Sequence, residues 1–386
     1  MYLSTVVFYI ERIKQIAVKK MTGLISFFEP MEDPRVERTQ QHKFIDIVVI
    51  TIAAVICGCE DWNEIELFGK LKKDWLDQYL ELPNGIPSHD TINRLFAALN
   101  PQSLQDCFLN WIQDVAQITE GRIVSIDGKR LCGSGTQGKK AIVHMVSAWC
   151  NTNNMVLGQV KTDDKSNEIT AIPELLKLLN IKGCTVTIDA MGCQKDIADK
   201  IIEMEGDYVL AVKGNQGNLL DDIDEAFKET AKSRLQSSSS LEIGHGRIEK
   251  RTCDVITDTD WICNLQEWKG LKSLIRITAE RTDKASGEKQ QECRYYISSA
   301  MPGAAALLNI TRQHWGVENK LHWMLDVNFG EDASQKRAGN AAQNFSVINR
   351  IALNLLQNEK TKKLSIKKKR LAAGWQHDYL EKLLFG

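Results

Sequence analysis

Near residue 121 the hydrophobic period of this chain changes, and that change rules out an all-helical protein. Before it, from about 21 to 118, apolar residues recur at helical spacing. Phe44 to Cys57 is nearly all apolar, and Trp62, Ile65, Phe68 and Leu71 follow at intervals of three. After it come short β-branched runs, Arg122–Ile126, Ala141–Trp149 and Met155–Lys161. Turn-rich links such as Cys132-Gly133-Ser134-Gly135 and Asn151-Thr152-Asn153-Asn154 separate them. Three short strands with tight links predict an antiparallel meander. Helical and strand patterns then alternate: a helix at Asn167–Leu179, a strand at Cys184–Asp189, a helix at Gln194–Glu205 and a strand at Tyr208–Lys213.

The order βββαβαβ is the plan of a ribonuclease-H-like α/β fold with a mixed sheet. Further on, the pattern predicts a helix near 216–234, a linker at Ser237–Ser240, and strand-like pieces at Leu241–Thr257, Leu274–Arg281 and Gln291–Ser298. Two helices, about 303–328 and 340–358, close the core. The expected organisation is an N-terminal extension at 1–20 ahead of Met21, then a helical, DNA-binding domain at 21–118. The catalytic core is split between 119–234 and 301–358 around a β-rich insertion at 235–300. A basic C-terminal tail occupies 359–386, with seven Lys or Arg between 360 and 370.

Lys+Arg (49) and Asp+Glu (50) nearly cancel, so any nucleic-acid contact must come from local patches and not from an overall basic field. The ten cysteines form no CxxC pair, which excludes a zinc-finger or disulfide framework and points to a reducing, cytoplasmic setting. The uncharged run Ile47 to Gly58 is too short to span a bilayer, and the apolar start Tyr2–Ile10 lacks a basic flank and a cleavage site. No membrane segment is expected.

The chemistry concentrates in two strand ends and one helix. Asp127 ends Ile123-Val124-Ser125-Ile126, and Asp189 ends Thr185-Val186-Thr187-Ile188, on strands that would be neighbours. The segment from Arg312 to Asp326 places His314, Glu318, His322 and Asp326 four residues apart along one helical stripe. Three converging carboxylates suit two Mg²⁺ ions about 4 Å apart, the arrangement that serves phosphodiester chemistry. The two histidines and a carboxylate also admit a Zn²⁺ site, although the spacing is not HExxH.

Around this centre, Lys129 and Arg130 follow Asp127 and are placed to meet a phosphate. Lys213 and Asn215 follow a strand and offer a phosphate contact or a helix-capping turn. His245 and Arg247 share a strand face with Glu249 and Arg251, which is either solvated or turned to DNA. His314 and His322 are candidate DNA contacts or orienting groups beside a carboxylate. Ser88 and Arg94, in a possible helix-turn-helix, are further DNA-contact candidates. Trp315 and Trp323 read as core packing, with stacking of one of them on an unpaired base as the alternative.

Four motifs, taken together, resemble a known family. They are Ile126-Asp127-Gly128-Lys129, the run from Thr162 to Pro173 (Thr-Asp-Asp-Lys-Ser-Asn-Glu-Ile-Thr-Ala-Ile-Pro), Thr187-Ile188-Asp189-Ala190-Met191-Gly192-Cys193-Gln194-Lys195, and His314-Trp315-Gly316-Val317-Glu318-Asn319-Lys320-Leu321-His322-Trp323. The chain is similar to the DDE transposases of bacterial insertion sequences, in the subgroup that includes H-repeat-associated proteins. The likeness runs from about residue 24 to the C-terminus.

The resemblance implies that Asp127, Asp189 and Glu318 form the DDE triad with two Mg²⁺ (or Mn²⁺). It implies double-stranded DNA as partner, both the terminal inverted repeats of an element and its target, with a homodimer assembled on DNA near the nucleoid. In related enzymes a Tyr and an Arg precede the Glu and a Lys follows it. Here His314 lies four before and Leu325 seven after, so that wider signature is not met in its usual form. A relic that binds DNA without transposing, or a metal-dependent nuclease without strand transfer, would keep the same triad positions.

Overall fold

The N-terminal third is helical because its apolar residues recur at helical spacing, and two of its helix starts carry side-chain caps. In a computed structural model, the structure describes residues 23–115, 121–135, 142–162, 168–244, 246–259, 265 and 267–385. The expected extension 1–20 and His245 lie outside the described residues. Helix α1 (Phe44–Ile56) is buried on nearly every side. Helix α2 (Trp62–Leu71) opens on a capping box in which Asp61 and Glu64 satisfy each other's backbone N–H groups. After the short α3 (Lys73–Leu76), α4 (His89–Ala98) starts at the Ser88 cap, and α5 (Pro101–Val115) starts on proline, which lacks the N–H that a first turn leaves unpaired.

Strands β1 (Ile123–Leu131), β2 (Val143–Cys150) and β3 (Met155–Lys161) form the expected meander. Then follow α6 (Glu168–Lys177), β4 (Thr185–Ile188), α7 (Lys195–Glu203), β5 (Asp207–Val212) and α8 (Gly217–Glu229). Strands β1, β4 and β5 are parallel neighbours, which requires the helical crossovers between them. The segment that follows supplies β6 (Gln236–Gly244), β7 (Arg247–Ile256), β8 (Ser273–Asp283) and β9 (Lys289–Ser298). These strands continue the same sheet, with β9 antiparallel to β5, so the nine-stranded order is β3-β2-β1-β4-β5-β9-β8-β7-β6. The fold is the mixed α/β ribonuclease-H-like arrangement.

Two expectations are corrected. Ser237–Ser240 is not a linker: these serines lie inside β6, with Ser237 opposite Asp254 and Ser240 opposite Arg251. An edge strand with a largely solvated surface needs backbone pairing more than apolar side chains, so serine does not break it. The basic tail is not a solvated extension either. Beyond α9 (Ala304–Gly316), a π-helical turn (Val317–His322), α10 (Trp323–Phe329) and α11 (Ala341–Asn358), residues 366–385 form α12 (Ile366–Trp375) and α13 (His377–Phe385). Arg370 is buried and donates from Nη2 to the Val55 carbonyl at 2.9 Å, while Lys369 donates to the Leu356 carbonyl at 2.7 Å. These cations satisfy the orphan carbonyls at the C-terminal ends of α1 and α11, where positive charge is also favoured. Among the described residues no helix is long and apolar enough to cross a membrane.

Candidate active site

The parallel pairing of β1 and β4 sets Ile126 opposite Ile188, so Asp127 and Asp189 are the next residues on adjacent strands. Asp127 continues along β1 opposite Ser147. Asp189 leaves β4 and caps a tight turn, accepting hydrogen bonds from the backbone N–H groups of Met191 at 3.1 Å and Gly192 at 3.4 Å. Gly192 is required there because a Cβ would stand 2.3 Å from Ile188.

Glu318 reaches this strand end on the π-helical turn, a wide turn that recurs at functional sites. A polar chain fastens the supporting helix to both strands. His314 Nδ1 lies 3.0 Å from Thr187 Oγ1, Thr187 donates to Ser125 Oγ at 3.0 Å, and Asn151 Nδ2 donates to the same oxygen at 2.8 Å. Gly316 allows the approach, since a side chain there would meet Asn151 Oδ1 at 2.1 Å.

The electrostatics are those of crowded carboxylates. Burial first, and then the Asp189 charge, push the Asp127 carboxyl up to about 7; Glu318 and Glu168 push the same way, and a hydrogen bond from the Gly128 backbone opposes them. Burial also raises Glu318, against the pull of Arg294 and Lys213. Glu168 is raised by burial and by Asp189. Sequence reasoning singled out no role for Glu168; the available signal was its place in the motif from Thr162 to Pro173.

Among the described residues no three such side chains are already drawn into metal-ligand contact. The donors nevertheless fit a hard divalent cation. They are all carboxylate oxygens, and their mutual repulsion at Asp127 is what a bound cation relieves.

The remaining candidates divide. Lys213 is exposed, and its charge is felt by Glu318. Asn215 donates to the Ala190 carbonyl at 2.7 Å, so it pins the loop after β5 to the Asp189 turn. Arg130 is exposed. Arg94 is also exposed, and its Nε donates to the Asp90 carbonyl at 3.2 Å. Ser88 serves as the α4 cap, accepting from the Thr91 N–H at 3.3 Å.

Three of the DNA-contact candidates are engaged with other groups of the protein. Lys129 is buried, with Nζ paired to Asp326 and 3.5 Å from Asp332, because the segment after α10 folds an acidic patch over it. His314 is held by Thr187, and burial pushes it down to about 4. His322 stands 3.5 Å from the Asp127 carboxylate, and burial followed by the Arg350 and Lys129 charges pushes it down to about 3. Both imidazoles are therefore neutral near pH 7 and face protein groups. The groups of the zinc alternative, His314, His322 and Asp326, face Thr187, Asp127 and Lys129 respectively.

A groove of about 430 Å³ runs beside Glu318 between β7–β9 and α9, and Arg247, Arg251, Arg281, Arg294, Arg312 and Trp315 line it. Trp315 and Trp323, expected in the core, are instead 38% and 53% exposed. The Arg294 guanidinium sits over the Trp315 ring at 4.7 Å. The arginines are partly balanced by acids, including Arg312–Glu242 at 2.5 Å and Arg281–Glu249 at 2.8 Å.

Comparison with known proteins gives the family. Residues 118–355 match the family described as "Transposase DDE domain", and residues 25–112 match the one described as "DDE_Tnp_1-associated". The chain is 44% identical over 367 residues to the Escherichia coli O157:H7 protein named "Putative transposase YncI", covering 94% of each chain. It is 45% identical over 354 residues to "H repeat-associated putative transposase YhhI" of Escherichia coli K12, covering 90% of this chain and 93% of that one. A 54-residue stretch is 54% identical to a K12 protein named "Inactive transposase YbfQ". With the family match spanning most of the chain and these relatives nearly its full length, the protein belongs to the DDE transposases, enzymes that act on DNA.

Proposed function

We propose that the chain cuts DNA strands at the terminal inverted repeats of an insertion-sequence element and joins the freed 3′-hydroxyl to target DNA. Asp127, Asp189 and Glu318 would hold two Mg²⁺ (or Mn²⁺). The observation that carries the reading is the register of Asp127 with Asp189 on parallel strands, together with a Glu318 helix fastened to both. When bound, the cations would offset the charge that develops on the phosphate oxygens.

The chain's own groups do the rest. Neutral His322 lies against Asp127 and orients its carboxylate. The chain from His314 through Thr187 and Ser125 fixes the depth of the helix. Lys213 and Arg294 bring positive charge to the side of Glu318, where a phosphate would enter. The arginine-lined groove with Trp315 suits the sugar–phosphate backbone on one side and a base face on the other.

Residues 21–118, with α2 and α4 as the helix-turn-helix and Ser88 and Arg94 at its exposed edge, are assigned to recognition of the element ends. The 235–300 segment is assigned to the DNA groove beside the 119–234 and 301–358 core. Pairing of two ends calls for a homodimer on DNA, in the cytoplasm.

The test uses a supercoiled plasmid carrying the element's terminal repeats, with Mg²⁺. Wild-type protein should nick at the repeat ends and yield joined products, whereas Asp127→Asn, Asp189→Asn and Glu318→Gln should bind the plasmid and leave it uncut. Full cutting by any of the three variants overturns the triad. Cutting without joined products replaces transposition by a nuclease, and binding without cutting by the wild type leaves only a DNA-binding relic.

A further inference from the structure

We propose that Glu168 is a fourth acidic residue of this centre, supplying a carboxylate oxygen to the bound cation from the face of the sheet opposite Glu318; the inference rests on the carboxylate reading above. Side chains alternate along β1, so position 128 faces away from Asp127 and toward the layer containing α6. A Cβ built on Gly128 would lie 2.0 Å from Glu168 Oε1 and 2.7 Å from Oε2. The Glu168 carboxylate thus occupies the space that any side chain at 128 would fill.

Gly128 does not have the positive φ that would by itself call for glycine, so this close approach is what its missing side chain provides. Its neighbour in sequence is Asp127. Glu168 is the first residue of α6, and that helix packs on β2 and β3, so the carboxylate is delivered by a rigid element and not by a loop tip. Asp127 feels its charge, and Glu168 in turn feels the charge of Asp189. The first turn of α6 favours a negative charge at Glu168, but that preference does not explain a carboxylate set in a gap beside Asp127 that a methyl group could have closed. A divalent cation shared with Asp127 and Asp189 accounts for it, since such ions take several carboxylate oxygens.

The test measures Mn²⁺ binding directly, without DNA and without turnover. The purified full chain is titrated with Mn²⁺ while free ion is followed by electron paramagnetic resonance, and melting in EDTA checks the fold. Glu168→Gln keeps the shape and the packing, so a merely structural role would leave affinity unchanged. The proposal expects Glu168→Gln to weaken Mn²⁺ binding about tenfold or more. Gly128→Ala, which displaces the flexible end of Glu168, should produce the same loss even if the Gln variant folds poorly. Asp127→Asn is the reference for loss of the centre. If both Glu168→Gln and Gly128→Ala bind Mn²⁺ as wild type does while Asp127→Asn does not, Glu168 is excluded and the triad stands. If Asp127→Asn also binds as wild type, or the wild type binds none, the underlying carboxylate reading falls and takes Glu168 with it.

Discussion

Asp127→Asn should stabilise the metal-free protein at alkaline pH, because it removes a buried charge that its surroundings resist. The side chain is 16% exposed and its carboxyl stands at about 7 against an ordinary 3.8. At 1.36 kcal/mol per decade that gap corresponds to about 4 kcal/mol, and relaxation with water entry lowers the expected gain to about 2–4 kcal/mol. The sign follows from proton linkage. The native carboxyl holds its proton where the unfolded one has lost it, so wild-type stability falls as pH rises from about 4 to about 7. Below that window both states are protonated and the penalty vanishes; above it the full penalty applies.

Neutral His314 and His322 act in the opposite direction, since their unfolded forms take up protons below about 6.5 and acid destabilises the fold. That loss is shared by wild type and variant and cancels between them. Urea unfolding in EDTA, followed by circular dichroism, should show Asp127→Asn ahead at pH 8 and the gap shrinking to less than about half at pH 5. A variant no more stable than wild type at pH 8, or a gap independent of pH, would refute the assignment of burial and like charge at this position.

Other expectations are simpler. Lys129→Ala leaves the partly exposed Asp326 and Asp332 without their shared cation, while buried Glu331 keeps Arg350 at 2.7 Å, and calorimetric melting should register a loss of about 1–3 kcal/mol; an unchanged melting point would contradict the pairing. His314→Ala deletes the bond to Thr187 and should cost about 1–3 kcal/mol by urea titration, with Asn151→Ala less than additive because both act on one polar chain. Arg312→Ala in the groove should weaken duplex binding and lower the slope of log affinity against log salt by about one; a fluorescence-anisotropy series with an unchanged slope would remove that arginine from the DNA path.

Much of the core was legible because its signals are local. The β-branched runs separated by turns marked β1 to β5, and the two aspartates stood at strand ends that parallel pairing then made neighbours. The Glu318 helix was visible from its stripe, though not its wide turn, which has no apolar period of its own in the sequence. What escaped detection depended on distant partners. Lys129 looked free because Asp326, which buries its charge, lies 197 residues away. Arg370 and Lys369 looked like a tail because the carbonyls they cap belong to α1 and α11. Ser237–Ser240 lacked apolar character because an edge strand with a solvated surface does not need it. Trp315 read as core by residue type alone, while its place over the groove is set by Arg294 on a different element.

The account stands or falls on whether residues 127, 189 and 318 surround one cation site. Fe²⁺ can be substituted for Mg²⁺ and treated with ascorbate and peroxide, so that radicals formed at the bound ion cut the polypeptide nearby, and mass spectrometry then maps the breaks. The account expects cuts clustered near 127, 189 and 318 in the same preparation, suppressed by excess Mg²⁺ and lost in Asp127→Asn. Breaks confined to one of these segments, or clustered elsewhere in the chain, would contradict it.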